Sequence, residues 1–356
     1  MKRRFMVIFT LLLMVVLVFN LTACSNEPAQ QPPKESNEQP SESNEQPSES
    51  KSSPTYTFKL GHNYSMEDTL SKKVEMFAEE VFEKTNGDVK FEIYAGGQLG
   101  TTIDHIQGVA NGYIDVGCEA INTYDVIDPL ADIESYPFLF DSPEQAVAFI
   151  NSDLSKELWD EICADTFEIF GASYRGARML QTTKPVHNLA DLKGLKLRTA
   201  SMPILHRPWV ILGAAPVTMD FTEIYTGLQQ GTIEGQENPL GASYTTGFAE
   251  VEDYVMNTYH VFGIQAFYFN KDKFEQLPEN YQKIIIEAGE NAAQWRNEQE
   301  LNLEEQYKQK FRDLGAEFIE IEDLDEWKKA LEEPLREEFP HLQEWFNRIK
   351  EFNSSL

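Results

Sequence analysis

The sequence predicts an α/β fold organised as two lobes, and three observations support that prediction. Strand-like and helix-like segments alternate along the chain from residue 56 onward. About 300 residues follow a polar segment that ends near residue 54, which is more than one hydrophobic core usually organises. A stretch over 278–314 has few helix breakers, so it predicts one long helix that could brace two lobes.

The first lobe is expected to begin with alternating strands and helices. Apolar and polar residues alternate over 56–60 and again over 89–93, which predicts two half-buried strands. Between them, a helix is expected to begin at a serine cap, Ser65. A second helix over 103–109 and a strand over 113–118 follow, so the strands are expected to pair in parallel.

The middle of the chain repeats this pattern and predicts a second α/β lobe. Strands are expected over 168–174 and 194–199, and helices over 203–212 and 221–230. After the long helix, a short strand over 317–321 and acidic amphipathic helices complete the chain.

The N-terminus predicts export and a lipid anchor. Three positive charges in residues 1–4 precede an apolar run over 5–19, as in a secretory signal peptide over 1–23. The run is short for a membrane span. The tetrad Leu-Thr-Ala-Cys at 21–24 resembles the lipobox of bacterial lipoproteins, which implies a lipidated Cys24. The alternative is an uncleaved apolar anchor, and both place the domain outside the cytoplasm.

Residues 24–54 are expected to form a disordered tether after the lipidated cysteine. From residue 25 this segment contains no aromatic or β-branched side chain, and ESNEQPS occurs twice in tandem over 35–48. Such a composition cannot bury enough apolar surface to fold. The tether would let an anchored domain stand away from the membrane.

The charge balance excludes several partners. The formal net charge is −29, and removing residues 1–23 with their three positive charges makes it −32. A surface this anionic argues against nucleic acid and against docking on anionic lipid. Beyond Cys24 the chain holds only Cys118 and Cys163, which are too few to staple a domain of this size. A single disulfide between them is left open.

No sequence motif of an enzyme or of a cofactor site is present. GxSxG, HExxH, a Walker loop and GxGxxG are all missing, and the six histidines are scattered without ligand spacing. The chain is therefore expected to be no enzyme and to hold neither a cofactor nor a metal. Carboxylate pairs are uninformative because 59 acidic residues make them inevitable.

Three motifs carry a resemblance to a known family. They are DLKGLKLR at 191–198, GAAPVTMDFTEIY at 213–225 and LQQGTIEGQENP at 228–239, with QLG at 98–100 and PFLF at 137–140 also in place. In this order they resemble the DctP family, the solute-binding proteins of tripartite ATP-independent periplasmic (TRAP) transporters. The resemblance covers the chain from about residue 55 to the C-terminal helices.

The resemblance implies a two-lobed, periplasmic-binding-protein-like fold with a long helix bridging both lobes and a cleft between them. Lobe I is expected over 55–175 plus about 264–303, and lobe II over 176–263 plus about 304–356. The implied partners are a small organic acid and the two TRAP membrane subunits, driven by an ion gradient. The chain itself is expected to be a monomer, held at the membrane only through its lipid anchor.

The resemblance also assigns ligand contacts. The family arginine that ends the DLKGLKLR-like strand pairs with the ligand carboxylate, which places that role on Arg198; a planar guanidinium matches a carboxylate with two parallel hydrogen bonds. It places an amide contact on Asn238 in a GQENP-like turn, ring packing on Phe221 and a second arginine contact on Arg178. From the residues alone, Asn238 is a turn former, Phe221 a core aromatic and Arg178 an ion-pair partner.

Four more positions are implied near the ligand. Asn63 and Glu119 follow the first and third strands, in loops that line the family's cleft. His260 stands where family members often have a histidine, and Trp209 is expected to wall the pocket. His260 and Trp209 equally fit a structural role in the core.

Several alternatives stay open at this stage. A solute-binding protein of an ATP-driven importer, an extracytoplasmic sensor or adhesion domain, and a secreted enzyme acting on small acids are the rival functions. The ligand is equally open, because an aldonate, a uronate, a sialate-like acid, a C4-dicarboxylate and a keto acid all present a carboxylate to Arg198.

Overall fold

The computed structural model describes residues 53–356. The predicted signal peptide, Cys24 and nearly all of the tether lie outside the described residues. Within 53–356, no helix has both the length and the apolar character that crossing a membrane requires.

Nine strands form within these residues. They are β1 (Tyr56–Gly61), β2 (Val89–Tyr94), β3 (Val116–Ala120), β4 (Phe167–Thr182), β5 (Arg198–Thr199), β6 (Val217–Thr218), β7 (Gly235–Pro239), β8 (Tyr254–Asn270) and β9 (Glu317–Ile319).

Eleven α-helices accompany them in the same part of the chain. They are α1 (Thr69–Lys84), α2 (Thr102–Ala110), α3 (Pro143–Ile150), α4 (Asp153–Glu161), α5 (Pro203–Ile211), α6 (Ile224–Gln229), α7 (Leu240–Thr245), α8 (Lys271–Glu275), α9 (Glu279–Asp313), α10 (Leu324–Glu338) and α11 (Gln343–Ser354).

The main sheet is mixed and has the order β2-β1-β3-β8-β4-β7, with β9 paired to β8. β1 pairs in parallel with both β2 and β3, which confirms the predicted parallel start of the chain. β5 and β6 pair with each other, and a single bridge from Leu197 to Gly235 attaches them to β7. The α/β prediction is confirmed.

The sheet has two halves, and the long strands β4 and β8 run through both. The first half contains β1, β2 and β3, and the second contains β7 and β9. β3 pairs with the C-terminal part of β8, whereas β9 pairs with its N-terminal part. In the same way, β7 pairs only with the C-terminal part of β4. β4 and β8 therefore run through both halves, and the sequence prediction missed β8 and the full length of β4.

α9 crosses both halves, as predicted for the long helical stretch. Its 35 residues make a rod about 50 Å long. It packs against α1 in the first half, against β4, and against α7, which follows β7 in the second half. Gly289 of α9 meets Gly171 of β4 so closely that a Cβ on either residue would clash with the other element.

Some predicted boundaries are wrong. α1 begins after Asp68, whose carboxylate accepts a hydrogen bond from the Leu70 amide, so Asp68 and not Ser65 is the N-cap. The predicted GQENP-like turn is strand β7, because its residues pair with β4. The segment 221–230 splits into a short 3₁₀ turn and α6. The strand over 194–199 narrows to β5.

The two cysteines of the folded region are both free and buried. Cys118 belongs to an apolar cluster around α1, which includes Phe77 packed 4.4 Å from the Phe267 ring. Cys163 belongs to a different apolar cluster. Their positions in separate parts of the core keep the two thiols apart.

The ladder between β4 and β8 is interrupted near Gly171 and Gly176, where register shifts occur. Other elements satisfy the backbone groups released there. Glu290 of α9 accepts a hydrogen bond from the Gly171 amide, and Asn297 accepts one from the Tyr174 amide at 2.7 Å. Because buried backbone groups must be paired, these side chains fix where β4 bends.

Lys73 of α1 also holds this bend, and it is fully buried. Its Nζ donates to the Gly171 carbonyl at 2.7 Å and to the Ser173 hydroxyl at 2.9 Å, and it lies 4.6 Å from the centre of the Phe267 ring. No carboxylate among residues 53–356 forms an ion pair with it. Burial lowers the pKa of Lys73 to about 8.

We expect Lys73 to make stability rise with pH in the alkaline range. The folded pKa is about 8 and the ordinary value 10.5, so between these values the unfolded chain binds more protons. Relative to Lys73→Met, the wild type should gain up to about 3 kcal/mol of unfolding free energy across this window. Urea titrations at a series of pH values measure the difference.

The matched control is Lys72→Met, since Lys72 is the exposed neighbour on the same helix. It should follow the wild-type pH dependence. A Lys73→Met curve that runs parallel to the wild type from pH 8 to 10.5 would show that Lys73 does not titrate abnormally.

Candidate ligand-binding site

A cavity lies where the two halves of the sheet meet. Asn63 and Glu119 reach it from the first half, and Arg198, Phe221 and Asn238 reach it from the second. Most of the residues that line it are polar or charged, and the full set is Asn63, Tyr64, Thr102, Glu119, Ala120, Asn122, Thr123, Arg175, Arg178, Arg198, Ala200, Met202, Leu205, Phe221 and Asn238.

Arg198 is a buried cation that has no carboxylate partner in the described chain. It stands on the two-residue strand β5, and its side chain is 4% exposed. Nε donates to the Met219 carbonyl at 2.9 Å, and neither terminal amino group has an acceptor within residues 53–356. Burial lowers the pKa of Arg198 to about 10, so it stays charged at neutral pH. The arrangement presents the guanidinium fork to an incoming carboxylate.

Arg178 also lines the cavity, but its charge is already neutralised. Its Nε and a terminal nitrogen donate to the two oxygens of the buried Glu237 carboxylate, at 2.5 and 2.7 Å. His260 Nε2 lies 3.1 Å from Glu237 Oε2. Burial alone would raise the pKa of Glu237, but the Arg178 charge and these hydrogen bonds outweigh it and lower the pKa to about 2. The pair is ionised and internally satisfied.

Asn238 lies on β7, and a chain of hydrogen bonds through Gln236 orients its side-chain amide. Its Nδ2 donates to Gln236 Oε1 at 2.7 Å, and Gln236 Nε2 donates in turn to Glu252 Oε2 at 3.0 Å. Asn238 Oδ1 accepts no hydrogen bond from residues 53–356. It is therefore free to accept one from a ligand.

Glu119 brings a carboxylate to the cavity wall from the first half of the sheet. The Asn63 backbone amide donates to Glu119 Oε1 at 2.9 Å, and His105 Nδ1 lies 3.8 Å from the same oxygen. Glu119 Oε2 accepts no hydrogen bond within the described part of the chain. The Asn63 side chain contacts the Thr102 hydroxyl at 2.8 Å.

Arg175 is a cavity residue that the sequence prediction missed. Its guanidinium carbon lies 5.5 Å from the centre of the Tyr64 ring, it is buried, and it forms no ion pair with any residue from 53 to 356. In a regular strand, Arg175 and Arg178 would point to opposite faces. The shift in register at Gly176, where φ is +99°, brings both to the cavity. The glycine between the two arginines was the only sequence feature that could have indicated that both side chains reach one cavity.

Two predicted site residues do not line this cavity. Trp209 and His260 border a smaller apolar pocket beside it, with their rings edge to face and 5.2 Å apart. Leu205 forms part of both walls. The structure therefore brings six of the eight predicted residues together, and His260 reaches the site only through Glu237.

A cation-lined cavity between two halves of a sheet, crossed by two long strands and braced by one helix, defines a two-lobed ligand-binding protein. The model of the family described as bacterial extracellular solute-binding protein, family 7, matches residues 60–341. The chain belongs to this family, DctP, and the predicted resemblance is confirmed.

Curated relatives share most of their length with this chain. It is 27% identical to the 2,3-diketo-L-gulonate-binding periplasmic protein of Escherichia coli, covering 80% of this chain and 87% of that protein. It is 25% identical to the sialic acid-binding periplasmic protein of Vibrio cholerae, over 80% and 88% of the two chains.

A solved structure shows the same fold. The TRAP periplasmic solute-binding protein of Chromohalobacter salexigens, with bound D-glucuronate, superimposes with a TM-score of 0.79 at 26% identity. The alignment covers 83% of this chain and 99% of that one. The predicted two-lobed architecture is confirmed, whereas the residue limits of the lobes stay a prediction.

We expect Glu237→Gln to destabilise the protein by about 3–5 kcal/mol, because it leaves the buried Arg178 without a counter-charge. The folded pKa of Glu237 is about 2 and the ordinary value is 4.5, so the wild type should lose the pair's contribution as pH falls across this range. Chemical unfolding at neutral and acidic pH measures both effects.

Glu234→Gln is the matched control, because Glu234 pairs with the exposed Lys184. It should cost less than about 1 kcal/mol. Equal losses of unfolding free energy in the two variants would mean that the Arg178–Glu237 pair stabilises the fold no more than a surface ion pair does.

Proposed function

We propose that this chain captures a hydroxylated organic acid, of the sugar-acid type, and delivers it unchanged to a TRAP-type transporter. The observation that supports this most is the unpaired, buried guanidinium of Arg198. A buried charge without a partner is costly, so a site of this kind is best explained by an anionic ligand that completes it.

The acceptors in the cavity favour a ligand that also carries hydroxyl groups. Asn238 Oδ1 and Glu119 Oε2 have no donor among residues 53–356 and can accept hydrogen bonds from ligand hydroxyls, which unsubstituted carbon chains lack. The relatives named above bind 2,3-diketo-L-gulonate, sialic acid and D-glucuronate, each a hydroxylated acid with one carboxylate. Phe221 would pack against the apolar face of such a ligand.

The transport role has further parts. Membership of the family supports two integral-membrane TRAP subunits as partners, rather than the ATP-driven importer considered above. A lipidated Cys24 would hold the protein at the outer face of the cell membrane, and a monomer is sufficient for delivery. A sensor would share the binding step but not the membrane subunits.

We expect Arg198→Ala to weaken binding of the acid by about two to four orders of magnitude, the cost of breaking a buried charge pair. The ligand-free variant should melt at or above the wild-type temperature, because the mutation removes an uncompensated buried charge. Arg198→Lys should rescue only in part, since lysine lacks the planar fork. Calorimetry with the acid that gives the largest thermal shift measures the affinities.

Arg207→Ala is the control, because Arg207 forms a partly exposed ion pair with Glu338 and does not line the cavity. It should bind like the wild type. Near-wild-type affinity in a normally folded Arg198→Ala protein would remove Arg198 from the site, and conversion of the acid, seen by mass spectrometry, would refute a pure binding role.

We expect Cys24→Ala to abolish membrane attachment, because the thiol that would receive the lipid is gone. Cell fractionation and immunoblotting should find the wild type in membranes and the variant in the soluble extracytoplasmic fraction. A variant that stays with membranes at the wild-type level would contradict the lipid anchor.

A further inference from the structure

Four side chains that are charged at neutral pH line the cavity, and their charges do not cancel. They are Glu119, Arg175, Arg178 and Arg198. Arg178 is neutralised by Glu237, which lies behind the wall. The remaining groups are two cations and one anion, so the formal charge offered to a ligand is +2 − 1 = +1.

Neither unpaired arginine is neutralised by Glu119. No ion pair links Glu119 to Arg175 or Arg198 among the described residues, and both guanidinium groups are buried. Arg175 lies over the Tyr64 ring, and Arg198 is held by the Met219 carbonyl. Among the described residues, the three charged groups are therefore not paired with one another.

Glu119 is the one acidic residue among the described residues that line the cavity, whereas the other charged residues are arginines. One of its oxygens accepts a hydrogen bond from the Asn63 amide, and the other has no donor among residues 53–356. A ligand hydroxyl would donate to that oxygen, whereas a second ligand carboxylate would be repelled by it. A site that had to hold two carboxylates would gain from an amide or a cation at this position.

We propose that Glu119 is a charge filter, which restricts the cavity to polyhydroxy acids with one carboxylate and excludes those with a second carboxylate at the other end of the carbon chain. This inference rests on the proposed function, because it assumes that Arg198 holds the first carboxylate. Because the formal charge of the wall is +1, one anionic group makes the occupied cavity formally neutral.

Pairs of acids with the same carbon skeleton test the filter. D-gluconate and D-glucarate, and likewise D-galactonate and galactarate, differ only in the oxidation of the terminal carbon. The wild type should bind the member with one carboxylate about 100-fold or more tightly, since like charges brought together in an interface cost several kcal/mol. Calorimetry at pH 7.5 and fixed ionic strength gives the ratio for each pair.

Glu119→Gln keeps the side-chain size and the acceptor for the Asn63 amide while removing the negative charge. It should reduce the preference for the monocarboxylate by about tenfold or more, mainly by improving binding of the dicarboxylate. Glu92→Gln is the matched control, because it changes the net charge equally on β2, outside the cavity wall. Its ratio should equal that of the wild type.

The outcomes separate the filter from the proposed function. A wild-type preference for the dicarboxylate, with Arg175 then holding the second carboxylate, overturns the filter while organic-acid capture stands. An unchanged ratio in Glu119→Gln, with a wild-type melting curve, also overturns it. If Glu119→Gln fails to fold, the ratio of wild-type affinities for the monocarboxylate and the dicarboxylate still tests the filter. Failure of the wild type to bind any aldonate, uronate, aldarate, keto acid or sialate-like acid would refute the capture of a sugar-type acid itself.

Discussion

The interrupted ladder between β4 and β8 is the feature on which the rest of this structure depends. Buried backbone groups released at Gly171 and Tyr174 are satisfied by Glu290 and Asn297 of α9, because leaving them unpaired would cost as much as a lost hydrogen bond. These bonds therefore fix α9 against β4 at the point where the strand bends. The same interruption turns the arginines of β4 toward the cavity, so one irregularity of the strand both fixes the bracing helix and assembles the site.

Much of the architecture follows from local sequence patterns, whereas the site depends on features that those patterns do not encode. The parallel start of the chain and α9 were predictable, because each has a clear period and clear breakers. β8 was not, since a strand buried along nearly its whole length shows no alternation. Arg175 was missed because a regular strand would place its side chain on the face opposite Arg178. Asn238 was assigned to a turn because Asn before Pro usually forms one, but it lies on β7.

The two arginines that the family resemblance singled out have different partners, and only the partners distinguish the two side chains. Arg178 and Arg198 are equally buried and line the same cavity, yet one is neutralised by Glu237 and the other has no counter-charge within the described residues. A motif gives the position of an arginine but not its partner. The structural arginine holds β4 to β7, and the unpaired one remains available for a ligand.

The strongly anionic chain also has a kinetic consequence. An acid approaching a protein of formal net charge −29 meets a repulsive field, and only the short-range field of the cavity attracts it. Salt shortens the reach of the repulsion, to about 8 Å at physiological ionic strength, while a buried guanidinium is screened far less. The rate of ligand capture should therefore increase with ionic strength, the reverse of an electrostatically steered encounter, and favour capture in saline surroundings.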